Sequence, residues 1–201
     1  MSRTEQLKAS PPMFRSGLLD KFTRVHPIVP VVIYLPAIAI LFVTGIGRVG
    51  FPEALGLALG GYAVWTLTEY WLHRVVFHFE PEQGIGARLH WMIHGVHHDH
   101  PNDPMRLVMP PAASVPLALA FYALFYVALG AAASTAFTAG FLAGYLAYDM
   151  IHYAVHHFRP RSRVGRRLRE LHMRHHFQDH ERGFGVSAPY WDRVFRTAPR
   201  R

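Results

Sequence analysis

The chain contains no cysteine. Disulfides, iron–sulfur clusters, thiolate-bound haem and a thiolate nucleophile are therefore excluded. Lysine is nearly absent as well: 19 of the 21 basic residues are arginine. Acidic residues number only 13, which leaves a net charge of +8. No phosphate-binding P-loop, no dinucleotide-binding glycine fingerprint and no internal repeat is present. Positive charge alone would admit nucleic acid as a partner. Long uncharged apolar runs make anionic lipid headgroups the better match, and no nucleic-acid partner is expected. At 201 residues the chain is long enough for one domain.

Histidine is what the sequence has in excess. Twelve of the 15 histidines fall in four short stretches: His73–His78, His90–His98, His152–His157 and His172–His176. Only His26, His100 and His180 lie outside them. Residues three and four apart share a helix face. His94 can therefore point with His97 and His98, His152 with His156, and His172 with His175 and His176. Neutral imidazole is the commonest ligand for Fe, Zn, Cu and Ni. A single zinc site takes about four ligands. The surplus of well-spaced nitrogens points to two metals close together.

The apolar runs come in order. Residues 1–26 are polar and basic, either a loose tail or, over Phe14–Val25, a short amphipathic helix on a membrane surface. Residues 27–201 form the membrane domain. Its first run, 27–47, carries no charge and is about the 20 residues that cross a bilayer core. The others are 54–72, interrupted late by Glu69, then 107–132, with prolines near its start, and 134–155, charged only at Asp149. Small residues recur in the last run at Gly140, Ala143, Gly144 and Ala147, which lets membrane helices approach closely. The expected fold is all-α: four transmembrane helices with a helical cap that holds a His-rich di-metal site. Twenty of the 21 basic residues fall on one side of these spans, in 1–26, 73–106 and the tail after the fourth span. That side, with both termini, is expected to be cytoplasmic. All four histidine clusters fall on the same side.

Nitrogen-only ligation beside acyl chains suggests oxygen activation, because inert C–H bonds need a cofactor capable of attacking them. Zinc-assisted hydrolysis is the competing chemistry and wants a carboxylate base. Glu69, Asp99, Asp149 and Asp192 are candidates. Glu69 lies four residues before His73 and Asp149 three before His152. These two are expected to orient imidazoles rather than to react. The glycines of Gly183–Ser187 permit either a close backbone approach to the metal-site helices or a simple turn. Tyr145, Tyr148, Tyr153 and Trp191 could line an acyl channel or sit as interfacial aromatics.

Several stretches together resemble the fatty acid hydroxylase superfamily, which also contains sterol desaturases, and most closely the fatty acid 2-hydroxylases. They are Glu69–Arg74 running to His78, His94–His98, Arg106–Pro111, Gly144–Tyr145 with Tyr148–Asp149, His152–His157, His172–His176, and Gly183–Ser187 followed by Trp191–Phe195. The resemblance covers about residues 60–197. It implies a di-iron centre, with zinc as an alternative in isolated protein, and O2 as co-substrate. It implies the ligands His73, His78, His94, His97, His98, His152, His156, His172, His175 and His176, with His90 and His157 as additional or supporting groups. The implied reaction places one oxygen atom from O2 on a fatty acyl chain next to its carbonyl. Many relatives carry a fused cytochrome b5 domain. The segment before the first span is too short for one, so a separate cytochrome b5-like or ferredoxin-like carrier is expected. Residue 196 is arginine where the family more often has glycine, and a local turn is expected to feel the change.

The implied localisation is integral and multi-pass, in a bacterial inner membrane or, in a eukaryote, the endoplasmic reticulum membrane. A desaturase or hydroxylase of a sterol or carotenoid is the alternative on the same site. A metal transporter is disfavoured, because its ligands would lie at mid-membrane between the spans.

Overall fold

The computed structural model describes residues 2–200, which are helical with no strand among them. The N-terminal segment carries two short helices, α1 (Arg3–Lys8) and α2 (Gly17–Lys21). Two long helices follow, α3 (Ile28–Val49) and α4 (Phe51–Trp71). A π-helical turn, Leu72–Phe77, continues α4 directly. Then come α5 (Gly84–His90), a second π-turn at Trp91–Gly95, and α6 (Val96–Asp99). The longest element is α7 (Pro111–His157), followed by α8 (Arg163–Phe177) and α9 (Tyr190–Val194).

Helix α7 is a hairpin rather than a rod. Gly130 interrupts it at φ 77° and ψ 171°, a conformation that only glycine adopts easily. In a straight helix Phe121 and Phe141 would be about 30 Å apart. Their rings lie 4.7 Å apart, and Phe125 meets Phe137 edge-to-face at 4.8 Å, so the two arms run back along each other. The reversal falls at Gly130, three residues before the expected link. The helix also begins at Pro111 and not at Leu107, because Pro110 holds an extended backbone and proline suits a first helical turn.

The second arm packs against α3 and α4 through small residues. A Cβ at Gly140 would collide with the Ala58 carbonyl, and one at Gly61 with the Phe137 carbonyl. Tyr34, Trp65, Phe141, Tyr145 and Tyr148 form the aromatic core between these helices. Outward-facing Val32, Leu35, Ile40, Val43, Leu59, Leu119 and Val127 leave the bundle apolar on its outside. Two helices, Ile28–Val49 and Pro111–His157, are long and apolar enough to cross a membrane.

The N-terminal segment is tied down, and it is neither a loose tail nor one continuous amphipathic helix. Backbone bonds join Asn102 to Leu7 at 3.0 Å and Val25 to Met105 at 2.6 Å. Buried Arg106 donates to Asp20 at 2.9 Å and to the Pro11 carbonyl. Residues 2–25 thus strap the loop that leads from α6 into α7.

Candidate metal centre

Ten histidines converge into two groups of five. One comprises His73, His78, His94, His98 and His175; the other His97, His152, His156, His172 and His176. Within each group one ring nitrogen per residue lies within 4.8 Å of every other. The clusters that are contiguous in sequence do not map one to one onto these groups. In His94-x-x-His97-His98 and again in His172-x-x-His175-His176, the first and last histidines join one group and the middle one joins the other. Helical geometry explains the split. Positions i and i+4 lie about 40° apart around the axis, while i+3 is about 100° away from i+4. One helical turn therefore serves two neighbouring sites.

The π-turn makes a further ligand position. His73 and His78 are five residues apart, which on an α-helix would leave them about 140° apart. The wider turn, marked by the His78 N–H donating to the His73 carbonyl at 3.2 Å, brings both into the first group.

Ring orientation comes from the loop after α8. His73 Nδ1–H donates to the Phe184 carbonyl at 2.7 Å, and His175 Nδ1–H to the Arg182 carbonyl at 2.7 Å. Each bond fixes the tautomer and leaves Nε2 bare and pointing inward. Two buried carboxylates hold that loop. Asp192 accepts the N–H groups of Phe184 and Gly185, both at 2.9 Å, and the Thr197 hydroxyl at 2.8 Å. Glu69 accepts the Ser187 N–H at 2.7 Å and the Ser187 hydroxyl. Gly185 is required here, since a Cβ would sit 2.5 Å from the Ala188 carbonyl oxygen. Of the two alternatives for this glycine stretch, the close backbone approach is what the structure has.

Some expected roles change. Among the described residues neither Glu69 nor Asp149 hydrogen-bonds an imidazole. Glu69 reaches past His73 to the loop, and Asp149 is buried with Oδ2 unpartnered. Asp99 receives the Trp91 indole N–H at 2.9 Å. His90 stands outside both groups: its Nε2–H donates to the Phe77 carbonyl at 2.7 Å and braces the first π-turn. His157 is outside them too, its ring tilted against Tyr153 with centroids 4.3 Å apart. Trp191 donates to Thr66 at 3.1 Å, which docks α9 on α4 and leaves no need for a channel role. The roles of Arg182, Phe184 and Ser187 were not legible beforehand, because backbone carbonyls and N–H groups leave no mark on residue identity.

The donor set fits metal ions. Nε2 atoms approach one another at 3.2 Å (His73–His94), 3.1 Å (His78–His175), 3.0 Å (His98–His94), 3.0 Å (His152–His97) and 2.8 Å (His156–His172). Metal–nitrogen bonds of ~2.0–2.1 Å place adjacent ligands about 3 Å apart. Lone pairs facing each other at that separation repel unless a cation gathers them. Burial and neighbouring imidazoles hold His73, His94, His97, His172 and His176 well below the ordinary histidine value. Burial likewise pushes His78 down to about 3, His98 to about 2 and His175 to about 4. The rings are therefore neutral, the state a metal needs.

Known proteins resemble this chain in sequence and fold. The family model described as fatty acid hydroxylase matches residues 58–197. The chain belongs to the fatty acid hydroxylase family. It is 34% identical to a dihydroceramide fatty acyl 2-hydroxylase of Arabidopsis thaliana over 96% of this chain and 81% of that one. It is 37% identical to a ceramide very long chain fatty acid hydroxylase of Saccharomyces cerevisiae, over 94% of this chain and 50% of the yeast protein. The solved structure of full-length Scs7p, with only its hydroxylase domain visible, superposes with a TM-score of 0.87 at 37% identity, over 90% of this chain and 70% of that one. In this chain, helices carry apolar runs and the histidines gather into groups that could hold metal ions.

Proposed function

We propose that this protein is a membrane fatty acyl 2-hydroxylase, acting on the acyl chain of a sphingolipid-type or related lipid. It converts the C–H bond next to the acyl carbonyl into C–OH, using O2, two electrons and two protons and releasing water. The observation that carries this is the pair of five-histidine groups set at the ends of apolar helices, within a family of acyl hydroxylases. His73, His78, His94, His98 and His175 would hold one metal, and His97, His152, His156, His172 and His176 the other. Two iron ions suit the reaction, since zinc has no redox chemistry and would be a substitute found in isolated protein. Bound there, the irons supply activation of O2.

The chain itself positions and shields. Phe184 and Arg182 hold two imidazoles in one tautomer. A small apolar crevice of about 40 Å³ beside α4 and α7, lined by Trp65, Leu72, Met109, Leu117, Phe121 and Phe141, marks where an acyl tail would enter between the helices. Its wall reaches the metal centre through Trp65 against Tyr148 at 5.9 Å and Tyr148 against His152 at 5.6 Å. An acyl carbonyl end at the histidines with its tail in the bundle exposes the 2-position first.

The reading includes four spans: α3, α4 and the two arms of α7. Residues 72–106 and 158–201 would then form a cytoplasmic cap, with both termini on that side by the arginine distribution. Membrane domain 27–201 and N-terminal segment 1–26 would be its divisions, in a bacterial inner membrane or endoplasmic reticulum. Electrons would arrive from a separate carrier. Lipid mass spectrometry of cells with and without the protein, under oxygen-18 gas, tests the function. A labelled oxygen at the acyl 2-position is expected. Loss of two hydrogens instead would move the protein to desaturation.

A further inference from the structure

Helix α8 has two faces with different jobs. His172, His175 and His176 point inward to the two histidine groups, and His172 contacts His156 at the end of α7 at 2.8 Å. The helical period places Arg163, Arg166, Arg167, Glu170 and Arg174 on the opposite face. Arg167 and Arg174 pair with Glu170 at 2.9 and 2.7 Å. Among the described residues no carboxylate pairs with Arg163 or Arg166, nor with Arg159 and Arg161 just before the helix. Arg159 and Arg166 also wall a shallow groove with Pro160, Arg169, Glu170 and Met173.

Helix stability does not account for this charge. The first turn of α8 holds no acidic residue, and arginines crowd the end where the helix dipole disfavours cations. Membrane insertion does not account for it either. A helix lying in a bilayer surface turns an apolar face to lipid, whereas α8 turns its less polar face onto the histidines and leaves arginines outside. Because α8 lies across the end of α7, that outer face looks away from the helical bundle. It is separated from the histidines by the width of one helix, about 10 Å.

The geometry points to the outer face of α8, centred on Arg159, Arg161, Arg163 and Arg166, as the docking surface for an acidic one-electron carrier protein. This rests on the hydroxylase reading, which requires two electrons per turnover. The carrier would deliver them singly at this face, about one helix width from the histidines that would hold the metals. Positive charge on one partner and negative on the other steers encounter and fixes register.

The test uses the metal-loaded full chain in nanodiscs of zwitterionic phosphatidylcholine. Binding of two acidic probes, a plant-type [2Fe–2S] ferredoxin and a soluble cytochrome b5 haem domain, is titrated at low and high salt. Salt-sensitive binding of at least one probe is expected. The double variant Arg163→Glu/Arg166→Glu should weaken it about tenfold or more, and a probe with acidic residues changed to lysine should recover binding to that variant. Metal content and dithionite-driven turnover should stay at wild-type levels. Arg88→Glu, on α5, should change none of these. No binding of either probe to wild type, or equal binding to wild type and variant, overturns the proposal. So does a shift seen only when anionic lipid is added, which would make the face a headgroup site. If the wild type hydroxylates nothing with dithionite, the function fails separately and the binding arms still decide docking.

Discussion

The two histidine groups are alike in ligand count and differ in how their rings are held. In the first, His73 and His175 are locked by carbonyls of the Arg182–Phe184 loop, and that loop is itself clamped by Asp192 and Glu69. His78 and His98 in that group are only half-buried. In the second, four of the five rings are buried, and Nδ1 of His156, His172 and His176 has no partner among the described residues. Two rings of the first site, His73 and His175, are fixed by hydrogen bonds from outside it, while His78 Nδ1 there has no such partner among the described residues. The second is arranged by packing between α7 and α8, and its order depends more on the metal. Bonds to the far nitrogen raise ligand basicity and fix the ring, so the first site should be the more fully formed before metal arrives.

The largest effects come from removing a ligand. His175→Ala in the first group and His97→Ala in the second should each abolish turnover and lower the metal-to-protein ratio, read by elemental analysis. His26→Ala should leave both intact, since that ring only accepts the Ile28 N–H at 3.2 Å. A ratio unchanged in either of the first two would take that histidine off the ligand list. If one substitution emptied both groups, the sites would be a single cooperative unit and the contrast between them would collapse.

A sharper cut is Asp192→Asn, which leaves every imidazole in place. The amide cannot accept from both the Phe184 and Gly185 N–H groups as the carboxylate does, so the Phe184 carbonyl should drift from His73. Metal affinity of the first group should fall about 10- to 100-fold, with the second group unmoved. Chelator competition separates the two. Equal weakening at both sites would show that the loop supports the whole centre and not one half of it.

How much of this was readable beforehand follows the same divide. His152 with His156, and His172 with His176, are spaced as one helix face and fall in one group. The apolar runs became helices with displaced ends, and the turn between the arms of α7 sits at Gly130 because only there does the backbone need a positive φ. The assignment of His97 and His175 to the opposite group from their neighbours follows from the 100° step, yet needs the relative placement of α6, α7 and α8 to be seen. The union of His73 with His78 depends on a π-turn, which no residue pattern announces. Glu69 and Asp149 were expected beside imidazoles on spacing alone. Tertiary packing put Ser187, 118 residues further along the chain, at Glu69 instead.

Metal-free protein should also respond to acid. An unfolded histidine takes up a proton near its ordinary value of 6.5, whereas folded His78 and His175 resist until about 3 and about 4. Between those limits the unfolded state binds more protons, so stability is full above about 6.5 and falls as pH drops toward the folded values. A lower melting temperature at pH 5 than at pH 7.5 is expected without metal, and a difference at least as large with metal bound, since the metal also keeps the folded rings unprotonated. A melting temperature of the metal-free form that does not fall between pH 7.5 and pH 5 would mean that the rings are not jointly buried and neutral.

The smallest effect tests the frame around the first group. Among the described residues Arg196 is the one non-glycine with positive φ, at 59°. A side chain in that region costs about 1–2 kcal/mol, and glycine relieves this while giving back about 0.5–1 kcal/mol in unfolded-state freedom. Arg196→Gly should therefore stabilise the fold by under about 1 kcal/mol, a rise of roughly 2–4 °C at most. The next residue, Thr197, accepts the Gly183 N–H at 2.9 Å and donates to Asp192, so the turn at 196 aims the brace that carries Phe184. Relief of strain without movement of Thr197 should leave both metal affinities unchanged. A selective loss at the first group would instead show that the strained turn sets the position of the Phe184 carbonyl, and with it how firmly His73 is held.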